Sequence, residues 1–272
     1  MGRRVADRAR IVAEQKGTSL RLVHVMEPVV EAMIDPGLVS IMRTHQVSAA
    51  ENLAEWCRSR TDIDVDLEVV KGSPAWELAA RAKSALAVVV GSSTVDAFTV
   101  GPVARRVARK AVGDTLIVRR QPRVPYRRIL VAVDFSEASR LAVERSMELF
   151  PDAEFTAVFS VPSRFDPMLS EAGLFQEEVE ASRGNRIEAA KDRMAEFALP
   201  WNGQLRPMIA DGPPAETIDE VARRRNADLV VVGSRGATAT RMVLLGSVAE
   251  SLIGQLPCDV LVVRSAAQFR RP

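Results

Sequence analysis

Residues 228–236 read DLVVVGSRG, and nine residues later the chain continues with GSVAE at 246–250. The near-continuous apolar run 229–232 is typical of a parallel strand that is buried on both faces. The glycine-rich residues after it and the helical pattern that begins near Gly246 predict a strand, a loop and a helix in succession. In this arrangement backbone N–H groups and a helix N-terminus can surround phosphate oxygens. The stretch therefore predicts an α/β fold with an anion site at the end of a strand.

The glycines of this loop have two explanations. They can admit a phosphate group, because a Cβ would block its close approach. Alternatively, Gly233 and Gly236 form an ordinary turn, and Gly246 with Ser247 is only a loop end followed by a helix cap. The complete spacing, after a strand and before a helix, favours the phosphate loop. Ser247 and Glu250 also have the spacing of a capping box, which predicts that Ser247 begins the last helix.

An internal repeat organises the chain. The sequence GSPA at 72–75 pairs with GPPA at 212–215 at an offset of 140, and VGS at 90–92 pairs with VGS at 232–234 at an offset of 142. Such a slow drift is typical of duplicated domains whose loops differ in length. Strands alternate with helical patterns in both halves, which predicts parallel sheets covered by helices.

The second half begins with a strand at 129–133 that leads into Asp134, and the first half has no counterpart of it. His24-Val25 aligns with Phe159-Ser160 at an offset of 135, so the partner of Asp134 would stand at 134 − 135 = −1. We therefore predict that the first domain lacks its opening strand. Either the start has been placed too late, which the cost of a bare sheet edge favours, or another strand covers that edge.

Composition indicates a globular protein, and the length allows two domains, although one large domain fits the length as well. The 272 residues are 47% hydrophobic, and the net charge is +2, which gives no strong attraction to nucleic acid. No apolar run approaches the roughly 20 residues needed to cross a membrane, so we expect a cytoplasmic protein. The expected domains are 1–120 and 127–265, joined by the linker 119–126, where two prolines interrupt both patterns. Cys57 and Cys258 match no metal-ligand spacing, and no disulfide is expected.

The second half resembles the universal stress protein family. The resemblance rests on ILVAVD at 129–134, GPPA at 212–215, PCDVLVVR at 257–264 and the loop G-x2-G-x9-G-S. It covers nearly all of 127–265 and, more weakly, 1–120. It implies two similar domains of the adenine-nucleotide alpha-hydrolase-like fold. Each is a mostly parallel five-stranded sheet with helices on both faces, and the first domain lacks its opening strand.

The resemblance also implies ATP binding, with or without Mg²⁺, by a regulatory protein of the stress response. The sequence places no dedicated base or nucleophile near the loop, so no catalytic or metal-binding residue is assigned and we expect a binding protein with at most slow ATP hydrolysis. The family's adenosine contacts map to Ala132, Val133, Asp134 and the main chain of Ser160, and its ribose and phosphate contacts map to Gly233, Gly236, Gly246, Ser247 and Val248. Arg235, together with Arg241, is a candidate for neutralising phosphate charge. Asp134 has a second explanation as a partner of the following helix N-terminus.

Two features depart from the family pattern. The second strand usually ends in His-Val, whereas this domain has Phe159-Ser160. The first domain's loop reads GSST at 91–94, then six residues, then Gly101-Pro102. Thr94 stands in place of the second glycine, and Pro102 has neither a hydroxyl nor a backbone N–H. The first domain is therefore expected to be a structural or regulatory partner with a degenerate site.

Three functions stay open. In the leading hypothesis ATP shifts the conformation or the association of the protein, which pairs its two domains within one chain or forms a homodimer. The alternatives are a weak ATPase or autophosphorylating enzyme, with Ser247 or Ser234 as phosphate acceptor, and an interaction module that binds no nucleotide. The basic cluster Arg105, Arg106, Arg109 and Lys110 is interpreted as a solvated helix face without aromatic company, so no specific nucleic acid is expected as a partner.

Overall fold

The computed structural model describes residues 2–27, 35–92, 100–162, 175–234 and 245–264. They form two compact units, one that ends at Pro125 and one that begins at Tyr126, and this division falls inside the expected linker 119–126. No helix in these ranges is both long and apolar enough to cross a membrane.

Both units alternate strands with helices, as an α/β fold requires. The elements of the first unit are α1 (Gly2–Lys16), β1 (Leu20–Met26), α2 (Pro36–Arg58), β2 (Val65–Lys71), α3 (Pro74–Arg81), β3 (Val88–Gly91), α4 (Pro102–Lys110) and β4 (Thr115–Val118). The elements of the second unit are β5 (Arg128–Ala132), α5 (Glu137–Leu149), β6 (Glu154–Val161), α6 (Gln176–Ala198), β7 (Leu205–Asp211), α7 (Pro214–Arg224), β8 (Leu229–Gly233), α8 (Ser247–Gln255) and β9 (Asp259–Val263).

The second unit contains a five-stranded parallel sheet in the order β9-β8-β5-β6-β7. β5 is the central strand, and Ile129 pairs with Phe155 of β6 on one side and with Leu229 of β8 on the other. Every residue of β8 and β9 is buried. The apolar runs of these strands are continuous because helices cover the sheet. The expected five-stranded α/β sheet is confirmed for this unit.

The first unit has four strands in two parallel pairs, β1 with β2 and β3 with β4. Within the described ranges no strand of this unit pairs with β1 except β2, or with β3 except β4. The counterpart of β5 is therefore missing, as the sequence predicted. Its absence also divides the sheet, because β5 is the strand that joins the two halves in the second unit.

Tyr126 anchors the beginning of the second unit. Its side chain is 2% exposed, and its hydroxyl donates a hydrogen bond of 2.6 Å to Oδ2 of Asp259, which is itself buried. The ring packs edge-on against Phe150, with 5.1 Å between centroids. Placing Tyr126 in the linker was therefore wrong, because both its hydroxyl and its ring make their contacts inside the second unit.

Neither cysteine forms a disulfide, as expected, and both are buried. Burial raises the pKa of the Cys57 thiol. A buried thiol with a raised pKa has little thiolate character, so Cys57 is a core residue rather than a reactive one.

Tyr126→Phe should lower the free energy of unfolding of the second unit by about 1–3 kcal/mol, because it removes the hydrogen bond to a buried carboxyl group and keeps the ring contacts. Urea denaturation followed by circular dichroism measures the change. In an Asp259→Ala background the same substitution should cost much less. An equal cost in both backgrounds would mean that the hydroxyl acts through another partner.

Candidate functional site

The carboxyl ends of β5 and β8 form the candidate site. These strands are neighbours, with Ala132 paired to Val232, while the chain leaves β5 toward β6 on the opposite side. In open α/β sheets, ligands bind outside the carboxyl ends of the strands at the point where the connections diverge. The structure therefore brings the predicted residues Ala132, Val133 and Asp134 to the same edge as Gly233.

A pair of backbone hydrogen bonds closes the loop that follows β8. The N–H of Ser234 donates to the carbonyl of Val263 at 2.9 Å, and the N–H of Gly246 donates to the carbonyl of Ser234 at 2.8 Å. Ser234 is 0% exposed. The two ends of the loop thus meet beside the end of β8. Arg235 and Gly236, like Arg241, lie outside the described residues.

The last helix begins next to this closure. Ser247 is its first residue, as predicted, but the N-cap is Gly246, which has an extended backbone with φ −70° and ψ 154°. The predicted capping box is therefore wrong, because its serine must stand at the N-cap position. Instead, the N–H of Glu250 donates to the Gly246 carbonyl at 2.9 Å. The first N–H groups of a helix lack acceptors within it, and here they belong to the predicted residues Ser247 and Val248.

Asp134 supports the start of α5. Its Oδ1 accepts hydrogen bonds from the N–H of Ser136 at 3.1 Å and from the Ser136 hydroxyl at 2.5 Å. The Ser136 Oγ in turn caps α5 by accepting a bond from the N–H of Ser139 at 3.2 Å. Asp134 therefore acts as a partner of the helix N-terminus through Ser136, as its second explanation predicted. The contact of Asp134 with a ligand stays a prediction. Among the described residues, no group of three or more His, Cys, Asp or Glu is arranged to hold a metal ion.

Phe135 has a backbone conformation that the sequence did not reveal. Its φ of 64° lies in the left-handed region, which costs a bulky residue about 1–3 kcal/mol. The centroid of its ring lies 4.5 Å from that of Phe159 and 5.8 Å from that of Phe197. The guanidinium carbon of Arg193 lies 4.5 Å from the Phe135 centroid. The Trp201 ring also belongs to this group, with its centroid 5.2 Å from that of Phe197. This aromatic cluster, Phe135, Phe159, Phe197 and Trp201, holds the turn after β5 in place.

The departure at Phe159-Ser160 now has a structural reason. Phe159 belongs to the aromatic cluster, whereas Ser160 is buried and its hydroxyl donates a 2.6 Å hydrogen bond to the carbonyl of Gly212. Ser160 thereby connects β6 to the turn before α7. The main chain of Ser160 lies in the sheet opposite Ala210, and its predicted contact with adenine stays untested.

Packing favours a glycine at position 233 even without a ligand. A Cβ at this position would lie 3.0 Å from the carbonyl oxygen of Ala138 and 3.1 Å from its carbonyl carbon. Ala138 belongs to the first turn of α5, so the glycine lets that helix approach the end of β8. The sequence could not distinguish this close approach from a turn or a phosphate loop.

The first unit repeats the loop closure without the same chemistry. The N–H of Ser92 donates to the carbonyl of Val118 at 3.0 Å, and the N–H of Gly101 donates to the Ser92 carbonyl. Gly101 caps α4, and Pro102 is the first residue of that helix. Pro102 thus stands in the position that Ser247 has in α8, but it offers no N–H group. Thr94 lies outside the described residues.

The basic cluster of α4 has an aromatic neighbour after all. Nζ of Lys110 lies 3.4 Å from the ring centroid of Trp76, which is 62% exposed. Nε of Arg105 donates to the carbonyl of Val100 at 3.2 Å. The interpretation of a face without aromatic company was wrong, because α3 brings Trp76 beside it.

Gly233→Ala should lower the free energy of unfolding by about 1–2 kcal/mol without any ligand, since the neighbouring atoms belong to a helix backbone that cannot move freely. Gly184→Ala is the control, because nothing lies within 4 Å of its added Cβ in the middle of α6. The control should gain about 0.5–1 kcal/mol. Unchanged stability in Gly233→Ala would leave only a ligand to explain the glycine.

Comparison with known proteins agrees with the sequence resemblance. A family model described as the universal stress protein family matches residues 2–119 and 125–264. A universal stress protein of Methanocaldococcus jannaschii is 32% identical over 141 residues, which are 51% of this chain and 82% of that protein. A universal stress protein structure from Archaeoglobus fulgidus has a TM-score of 0.68 at 18% identity. The match covers 95% of this chain and 91% of the Archaeoglobus chain. A structure of a putative universal stress protein from Pseudomonas aeruginosa has a TM-score of 0.67 at 19% identity. The match covers 96% of this chain and 88% of the Pseudomonas chain.

Proposed function

The chain belongs to the universal stress protein family, and we propose that its second unit binds ATP and acts as a nucleotide-dependent regulatory switch. The observation that supports this most is that β5, which leads into Asp134, and β8, which leads into the closed glycine loop, are neighbouring strands whose carboxyl ends lie at the same edge of the sheet. Parallel α/β sheets bind their ligands at this kind of place.

The start of α8 suits the phosphate groups. A helix N-terminus has a partial positive charge of about half an elementary charge, and the N–H groups of Ser247 and Val248 lie in the first turn. Ser247 is exposed, so its hydroxyl is also accessible. We assign the phosphates to this turn and to Gly246, together with Gly236 and Arg235 of the intervening loop. The adenosine is assigned to the ends of β5 and β6, at Ala132, Val133, Asp134 and the Ser160 main chain.

We propose that binding, rather than turnover, is the activity. Of the two serines that were candidate phosphate acceptors, Ser234 is fully buried and its backbone closes the loop. Only Ser247 is accessible to a transferred phosphate. Incubation with γ-labelled ATP tests this, since label in the wild type above that in Ser247→Ala would favour the enzyme.

The first unit is proposed as a partner that does not bind nucleotide through its own loop, because Pro102 removes a phosphate donor at the start of α4. Pairing of the two domains or of two chains, the use of Mg²⁺, the role in the stress response and the cytoplasmic location stay predictions.

Calorimetric titration of ATP with Mg²⁺ should show one site in the wild type and at least about tenfold weaker binding in Ser247→Pro. This substitution copies the first unit, where Pro102 begins α4. Proline is well tolerated as the first residue of a helix, and Gly246 already has the extended backbone that a residue before proline requires. The variant therefore loses the N–H and the hydroxyl of Ser247 while the bond between Gly246 and Ser234 stays intact.

Ser247→Ala is the matched control, because it removes the hydroxyl and keeps the N–H group. It should weaken binding less than Ser247→Pro does, and both variants should unfold at the wild-type temperature. Gly246→Pro is less informative, since it would also break the loop-closing bond to Ser234. No binding to folded wild-type protein would overturn the proposal and favour an interaction module without nucleotide.

A further inference from the structure

Helices α3 and α4 of the first unit form a surface whose charge the second unit does not repeat. They pack against each other, and together they contain five basic residues and one acidic residue. Their counterparts α7 and α8 contain two basic residues and four acidic ones. The two pairs of helices therefore have opposite charge. We call the exposed side of the first pair the α3–α4 face.

The basic residues of α4 are not required by the fold. Pro102 begins α4 as Ser247 begins α8, at an offset of 145. At this offset each basic residue of α4 has an acidic or uncharged counterpart. The pairs are Arg105 with Glu250, Arg106 with Ser251, Arg109 with Gly254 and Lys110 with Gln255. Because α8 forms the same helix without a basic residue, the basic residues of α4 are free to serve a partner.

Trp76 gives the α3–α4 face an aromatic ring. The residue is 62% exposed, and Nζ of Lys110 lies 3.4 Å from its ring centroid. Its counterpart at the offset of 140 is Glu216, which is also exposed. The cation–π contact with Lys110 orients the indole, while more than half of the surface of Trp76 stays accessible.

The composition of the α3–α4 face favours one class of anionic partner. Within α3 and α4, every residue of which the structure describes, Trp76 is the one exposed large apolar side chain. A membrane-bound helix buries several apolar side chains, and a protein interface has a wider apolar core. A single aromatic ring among basic side chains is instead typical of a surface that stacks a base and contacts phosphates.

We propose that the α3–α4 face binds single-stranded nucleic acid without sequence preference. A base stacks on Trp76, and neighbouring phosphates contact Lys110 and Arg106, which lie one turn apart on α4. A single strand is preferred because its bases are not held in a duplex stack.

The expectation that no specific nucleic acid is a partner depended on the small net charge of the chain and on the missing aromatic company. Trp76 supplies the aromatic ring. The small net charge of the whole chain does not prevent binding, because salt screens exposed charges that are more than about 10 Å apart. The local charge of the α3–α4 face therefore decides the attraction.

Fluorescence anisotropy of a labelled oligothymidylate of about 12 nucleotides, with the full-length protein in excess ATP, tests the proposal. We expect binding at about 50 mM salt that weakens as the salt concentration rises. An oligomer of the same length without bases should bind at least about fivefold more weakly. Because excess ATP occupies any nucleotide site of the second unit, the result does not depend on the function proposed above.

Trp76→Ala should weaken binding of the oligothymidylate at least about fivefold and should not change binding of the base-free oligomer. Trp76→Phe should restore most of the affinity, since a phenyl ring also stacks on a base. Trp76 is exposed, so both variants should keep the circular dichroism spectrum of the wild type.

Arg106→Gln should make the slope of log binding constant against log salt concentration shallower by about 0.7, because one phosphate contact is lost. Arg224→Gln is the matched control, since it removes the same charge from an exposed position on α7. The control should change neither the slope nor the affinity.

The proposal is wrong if the oligothymidylate does not bind at low salt, or if the base-free oligomer binds equally well. Equal losses in Arg106→Gln and Arg224→Gln would also contradict it, since the attraction would then come from net charge rather than from the α3–α4 face. Displacement of the labelled strand by polyglutamate as effectively as by unlabelled oligothymidylate would assign the face to an acidic protein instead.

Discussion

A strand inside a parallel sheet needs a hydrogen-bonded neighbour along both edges, because its buried N–H and C=O groups have no water to bond. β5 satisfies this requirement with β6 and β8. By filling the centre it joins the two halves of the second sheet and places Asp134 where the strand connections diverge. In the described part of the first unit the strands form two separate pairs, β1 with β2 and β3 with β4. The comparison shows how much of the second sheet depends on its central strand.

The two units keep the same loop closure but differ in what it presents. In each, a buried serine after the strand accepts a hydrogen bond from the glycine that caps the next helix. This bond brings a helix N-terminus to the end of the strand in both halves. The first residue of that helix is Pro102 in one unit and Ser247 in the other. A single position therefore decides whether the first turn offers an N–H and a hydroxyl to an anion.

The turn after β5 combines a strained backbone with close side-chain packing. Phe135 has a φ of 64°. Its ring packs at a tilt against Phe159, and the Arg193 guanidinium lies over its face, contacts that favour this conformation. Asp134 precedes this strained residue and Ser136 follows it as the cap of α5. The position of the Asp134 carboxylate thus depends on a side-chain cluster that extends to the end of α6. The same cluster accounts for Phe159 where the family pattern has histidine.

The sequence by itself determined the α/β class, the duplication, the missing opening strand and the first residue of α8. These properties are local or periodic: apolar runs, glycine spacings and offsets between repeats are visible without coordinates. Tertiary structure alone decided the division of the first sheet into two pairs, the burial of Tyr126 against Asp259, and the contact of Lys110 with Trp76. It also showed that Gly233 admits the backbone of Ala138 and that Gly246, not Ser247, caps the last helix. Each of these depends on residues that are distant along the chain or on backbone angles, and a one-dimensional pattern contains neither.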